Sequence, residues 1–151
     1  MSIDKKFIKQ LINVTSKAAL ASSYLVGKKD KIAADKAAVD SMRTELNKMN
    51  IKGKIVIGEG ELDEAPMLYI GEKLGTNSGP ELDIAVDPLE GTNFAANNLP
   101  GALSVIAISE INNLFNSDLI ESTAALSAAI LSFFPTRYEE AKAAFAVTFI
   151  T

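Results

Sequence analysis

Glu81-Leu82-Asp83-Ile84-Ala85-Val86-Asp87-Pro88-Leu89-Glu90-Gly91-Thr92-Asn93 runs a short apolar stretch of strand length into a tight turn bearing two carboxylates and a hydroxyl. Leu82, Ile84, Ala85 and Val86 form the stretch. Pro88 has no amide hydrogen for a sheet ladder and is expected to stop it, leaving Asp87 at the strand's last position. Gly91 can take a positive φ, so the backbone can turn sharply, Glu90 can swing back toward Asp87, and Thr92 begins the next element. Unpaired carboxylates held that close repel and raise one another's pKa, which makes a divalent cation their natural stabiliser. The alternative is an acidic surface turn ending in a Thr cap.

A second strand precedes this one. Lys54 to Gly60, Lys-Ile-Val-Ile-Gly-Glu-Gly, is continuously apolar at Ile55, Val56 and Ile57, as in a strand covered on both faces. Glu59 then stands at the strand's C-terminal end, as Asp87 does in its own. In open α/β sheets sites gather at strand ends, so two such strands would bring Glu59 and Asp87 to one edge. Gly58 and Gly60 would let backbone approach a ligand closely. Glu61, Asp63 and Glu64 follow, and each could orient water or simply face solvent. Ala102 to Ile108 reads as a third strand, Met67 to Leu74 as a mixed segment, and Gly75 to Pro80 as a loop tolerant of change.

Two helices are expected before the strands. Phe7, Leu11, Val14, Ala18, Ala21 and Leu25 recur at three- and four-residue spacing up to a stop at Gly27. Asp30 is a plausible N-cap for a second helix to about Asn50, with Ile32, Val39, Met42, Leu46 and Met49 as its apolar stripe. Asp35 falls on that stripe. A lone buried carboxylate is costly and is normally protonated, paired or bound to a metal; the other reading is a half-exposed acid interacting with the helix N-terminus. This order of elements suits an α/β (α+β layered) fold.

Composition narrows the chemistry. The chain has no His and no Cys, which excludes a Ser-His triad, a cysteine nucleophile and a nitrogen- or sulfur-ligated zinc site. Nineteen Asp and Glu favour Mg²⁺ or Mn²⁺ on carboxylates, the usual equipment of phosphoryl transfer. Residues 51–100 carry 3 Lys or Arg against 9 acids, whereas residues 1–50 carry 10 against 5, so the candidate cation site lies in the acidic segment. A net charge of −4 without basic and aromatic interleaving argues against nucleic-acid binding. No apolar stretch is long enough to span a bilayer, and a soluble cytoplasmic protein is expected.

Taken together, Ala33-Ala34-Asp35, Ile55 to Glu61, Asp63 to Lys73 and Asp83 to Asn93 strongly resemble the N-terminal part of class II fructose-1,6-bisphosphatase, within the sugar-phosphatase and inositol-monophosphatase superfamily. The resemblance implies the N-terminal half of an αβαβα sandwich, with two helices followed by a mixed sheet. It implies Asp35, Glu59, Asp87 and Glu90 as metal ligands for Mn²⁺ or Mg²⁺. Glu90, Gly91 and Thr92 would contact substrate phosphate, and Thr92, Glu61 and Lys31 would take part in catalysis. The implied reaction is hydrolysis of the 1-phosphate of fructose 1,6-bisphosphate in gluconeogenesis, with sedoheptulose 1,7-bisphosphate or an inositol phosphate as alternative substrates. The implied partners are the sugar bisphosphate and, for a full-length chain, further copies of itself.

The resemblance covers residues 1–116. Family members run past 300 residues, whereas no resemblance to the family is read in Ser117 to Thr151. This Ala-rich tail, residues 117–151, is expected to be helical around Ala124 to Phe134, with Pro135 breaking it. A truncated or frameshifted reading frame is the expected origin of the tail, with natural divergence as the alternative. A catalytically incompetent fragment that associates with other subunits is therefore the competing functional reading.

Overall fold

The structure is a computed structural model and describes residues 6–59, 67–112, 114 and 143–150. Two helices lead, α1 (Lys6–Ser23) and α2 (Lys31–Leu46), followed by β1 (Lys52–Ile57), β2 (Lys73–Leu74), β3 (Glu81–Glu90), the single-turn α3 (Thr92–Ala96), β4 (Leu103–Glu110) and β5 (Ala143–Phe149). The strands form one mixed sheet in the order β2-β1-β3-β4-β5. β1 and β3 run parallel and every other pairing is antiparallel. The α/β layered fold is as expected, with both N-terminal helices ahead of a mixed sheet.

The helices pack on one face of this sheet. Phe7, Leu11, Val14 and Ala18 of α1 and Ala34, Ala38, Val39, Met42 and Leu46 of α2 join Ile55, Leu82, Ile84, Val86, Ile106 and Ile108 in one core. Ile57, Ala85, Val105 and Ala107 form a second, smaller cluster. Alternating side chains of a strand point to opposite faces, so β3 and β4 each feed both clusters. Asp30 caps α2 as expected, its carboxylate accepting the Ala33 N–H at 2.9 Å. Gly27, at φ +76°, turns the chain after α1, and its N–H bonds the Ala95 carbonyl of α3.

Four expectations need correction. Ile32 is 76% exposed, because the buried face of α2 is carried by Ala34, Ala38, Val39, Met42 and Leu46. Pro88 does not end β3, which continues to Glu90 through a register shift between Asp87 and Glu90. Proline is tolerated at a bulge because the ladder is already interrupted there. The loop from Gly75 to Pro80 is tightly constrained: Gly75 and Gly79 have positive φ, and a Cβ on either would come within 2.3 and 2.1 Å of the Ile51 and Asn50 carbonyl oxygens. Finally, the tail is not wholly helical.

Ala143–Phe149 pairs antiparallel with β4 from Leu103↔Phe149 to Ser109↔Ala143, and the Ile150 N–H bonds the Ala102 carbonyl. Alanine favours helix, but Phe145, Val147 and Phe149 alternate with period two, and β4 offers an edge to pair with. Ala124 to Phe134 lies outside the described residues. No described helix is long and apolar enough to cross a membrane.

Candidate metal and phosphate site

Parallel pairing of β1 with β3 brings their C-terminal ends to one edge of the sheet. Each strand carries an irregularity close to its carboxylates. On β1 the register moves from Ile55↔Ile84 to Ile57↔Ala85, so two residues of β1 span one of β3. One extra residue exchanges the faces of everything after it. Ile55 accordingly lies in the helix-side core and Ile57, two residues on, in the opposite cluster. Glu59 follows, its N–H bonded to the Leu68 carbonyl at 3.0 Å.

On β3 the register moves from Asp87↔Val105 to Glu90↔Leu103, again with one extra residue. Leu89 joins Leu82, Ile84 and Val86 in the helix-side core, and Glu90 returns to the side of Asp87. Gly91 then sits in the left-handed region at φ +80°, ψ +45°, and opens α3 with Thr92 as its first residue.

From the helix layer, α2 contributes Asp35 within its second turn, and Lys31 at its start. Two adjoining cavities collect these residues. One of about 370 Å³ is lined by Glu59, Asp87, Leu89, Glu90, Gly91, Thr92, Asn93 and Phe94. The other, of about 600 Å³, is lined by Lys31, Ile32, Asp35, Lys36, Glu59, Met67 and Thr92. Glu59 and Thr92 belong to both walls. Asp35, Glu59, Asp87, Glu90, Gly91, Thr92 and Lys31 are thus brought together from four elements, whereas Glu61 lies outside the described residues.

The electrostatics are those of crowded, dehydrated carboxyls. Burial pushes Glu59 up to about 7, helped by the charges of Asp35 and Glu90. Asp87 is raised far above the ordinary carboxylate range, by burial first, then by its hydrogen bond with Glu90 and the charges of Glu59, Glu90 and Asp35. Burial also raises Asp35. Asp35 Oδ1, Glu59 Oε2 and Asp87 Oδ1 are all buried without a hydrogen-bond partner. Buried polar oxygens are rarely left in that state, and three from separate elements in one place call for a shared partner.

A hard divalent cation fits that requirement, because every donor present is oxygen. Among the described residues the carboxylates are neighbours but no three are drawn into a closed ligand cage. Like-charged carboxylates repel, so they approach one another closely only where a cation or a shared proton offsets the charge. Met67 and Ile32, apolar side chains on the cavity wall, were not anticipated in the site. Met67 falls in the Asp63 to Lys73 stretch of the resemblance but has no local mark of a site residue, and Ile32 reads as core because it sits at helical spacing from Val39.

Comparison with known proteins covers the same stretch of chain. Residues 5–122 match the family described as bacterial fructose-1,6-bisphosphatase, glpX-encoded. The chain is 52% identical over 115 residues to the D-fructose 1,6-bisphosphatase class 2/sedoheptulose 1,7-bisphosphatase of Prochlorococcus marinus (strain AS9601), covering 76% of this chain and 34% of that protein. The protein of the same description from Synechococcus sp. (strain RCC307) is 51% identical over 115 residues, with the same coverage. The chain thus spans about a third of the length of these relatives. An extragenic suppressor from Pyrococcus furiosus aligns in structure with a TM-score of 0.47 at 15% identity, over 70% of this chain and 41% of that one. The match to residues 5–122 contains every carboxylate of the site, and on it the chain belongs to the bacterial, glpX-encoded fructose-1,6-bisphosphatase family.

Proposed function

We propose that this chain carries the metal- and phosphate-binding portion of a divalent-cation-dependent sugar bisphosphatase, acting on the 1-phosphate of fructose 1,6-bisphosphate. The observation that carries this reading is the convergence of three partnerless buried carboxylate oxygens, from Asp35, Glu59 and Asp87, beside Glu90. These four would hold Mn²⁺ or Mg²⁺. Bound there, the cation would supply Lewis acidity, activating water and neutralising charge on the phosphoryl oxygens.

The remaining roles belong to this chain's own side chains. Thr92, in the wall of both cavities, has a hydroxyl that can hydrogen-bond a phosphoryl or departing sugar oxygen. Lys31, at the wider cavity, supplies a positive charge for an anionic substrate. Gly91 turns the backbone so that Thr92 can face the carboxylates. Glu61 is retained as a catalytic candidate on the family resemblance.

Sedoheptulose 1,7-bisphosphate is a second substrate reading, favoured by the two-activity description of the relatives. The test is stepwise. Mn²⁺ binding is measured first by calorimetry, then phosphate release from each bisphosphate with Mn²⁺ or Mg²⁺. Metal binding and release that both vanish in Asp87→Ala are the expected results. Folded protein that binds no divalent cation would sink the metal reading, and binding without release would confine the chain to the metal-holding role.

A further inference from the structure

Arg43 lies on α2 eight residues beyond Asp35 and touches neither cavity, yet it grips the segment against which Glu59 is held. Its Nε donates to Glu72 Oε1 at 2.8 Å and its Nη2 to Glu72 Oε2 at 3.2 Å, a bidentate fork on one carboxylate. The same Nη2 donates to the Met67 carbonyl at 2.6 Å. One guanidinium therefore takes hold of both ends of the stretch Met67–Glu72.

That stretch is the scaffold of the β1 strand end. The Leu68 carbonyl accepts the Glu59 N–H at 3.0 Å, the Glu72 carbonyl accepts the Ile55 N–H at 2.9 Å, and the Gly71 N–H bonds the Ile55 carbonyl at 2.8 Å. Contact is close enough that a Cβ on Gly58 would meet the Leu68 oxygen at 2.3 Å. Met67 itself lines the wider cavity with Asp35 and Glu59. Arg43 thus ties the helix that carries Asp35 to the segment that fixes the backbone of Glu59. The Glu72 side chain is only 11% exposed and that of Arg43 26%, so the pair is sheltered from the screening that empties most surface ion pairs of energy.

We propose that Arg43 is a positioning residue for the metal site, setting the separation of Asp35 and Glu59 through Met67–Glu72; the proposal rests on the metal reading given above. A guanidinium is required for this. Lysine offers one compact charge and cannot fork onto Glu72 while reaching the Met67 carbonyl.

The test uses the whole chain and two readouts. Mn²⁺ affinity is titrated by electron paramagnetic resonance, and hydrogen exchange at the Glu59 amide is followed by NMR without metal, both well below the melting temperature. Arg43→Gln is expected to weaken Mn²⁺ binding by about tenfold or more and to speed Glu59 exchange. Arg43→Lys, which keeps the charge and aliphatic stem and so guards against misfolding, is expected to do the same. Asn13→Ala, which removes a 2.9 Å bond from α1 to Glu45 of α2, is expected to change neither. If both Arg43 variants melt earlier yet keep wild-type Mn²⁺ affinity and Glu59 protection, Arg43 is merely structural and the proposal fails. If the wild-type chain binds no Mn²⁺, the metal reading falls instead. Glu59 exchange then decides the clamp alone, with protection kept in Arg43→Lys overturning it.

Discussion

Asp87 and Glu90, three residues apart on β3, share a side-chain hydrogen bond. In a regular strand residues i and i+3 point to opposite faces, so this pairing depends on the extra residue that the register shift inserts between them. Two carboxyls can share a hydrogen bond only if one keeps its proton, and that requirement is one cause of the raised pKa of Asp87. The strand is built to bring two like charges together in a buried edge, an arrangement that costs stability unless something positive arrives.

Asp87→Asn should therefore separate stability from function. The amide cannot ionise, so the penalty of a buried, crowded carboxyl disappears, while the oxygen-only ligand set loses a member. Scanning calorimetry of the metal-free protein at pH 8 is expected to show Asp87→Asn melting above wild type, by roughly 5 °C. Calorimetric titration should show Mn²⁺ affinity falling by about a hundredfold or more. A variant that melts lower than wild type and still binds Mn²⁺ would contradict both halves.

The pH dependence has a definite sign. Glu59 moves from 4.5 to about 7 on folding, so between those values the folded, metal-free chain binds more protons than the unfolded one. The stability that Glu59 contributes is fully present below its unfolded pKa and is lost as pH rises through about 7. Asp87, raised further, extends the loss to higher pH. Mn²⁺ must displace these protons, so its apparent affinity should climb as pH rises from about 5 to 8. Melting curves with and without Mn²⁺ across that range should diverge, the gap widening with pH; a constant gap would mean that these carboxyls do not bind the ion.

Much of this was legible in the sequence, and the misses have a common cause. Glu59 and Asp87 stand out as candidates because an apolar run ending in an acid is a strong local signal, and Glu90 because a glycine turn follows it. The N-cap Asp30 was found because its partner Ala33 lies three residues away. The bulges were not found. A one-residue insertion is visible only against the neighbouring strand, and Pro88 read locally as a stop when its real setting is an interrupted ladder. Arg43 carries no local signal for the same reason, since Glu72 and Met67 lie 29 and 24 residues away.

Ile32 against Val39 gives a direct check of the corrected helix face. Both belong to the stripe expected from spacing, but Ile32 is 76% exposed and Val39 is fully buried. Ile32→Ser should change stability by less than about 0.5 kcal/mol, whereas Val39→Ala should cost about 2 kcal/mol from lost burial and the cavity left behind. Urea denaturation with a shared m-value separates them. Equal losses would return Ile32 to the core.

Gly58→Ala tests how Glu59 is held. The added methyl carbon would meet the Leu68 carbonyl oxygen at 2.3 Å and Ile55 Cγ2 at 2.8 Å, and the first of these is backbone that cannot rotate away. Either β1 or the Met67–Glu72 stretch must shift by several tenths of an ångström, and the Glu59 N–H bond to Leu68 is the contact directly in its path. A loss of about 1–3 kcal/mol in urea denaturation is expected, as for other overpacking substitutions. Because the strained bond belongs to a site residue, Mn²⁺ affinity should fall in the same variant. Gly75→Ala strikes an equally close contact with the Ile51 carbonyl and forces a side chain into φ +99°, but its loop does not line either cavity of the candidate site. It should destabilise to a similar degree while leaving Mn²⁺ binding of the folded protein at the wild-type level. Loss of affinity in both variants would mean that global stability, not the seat of Glu59, governs the site.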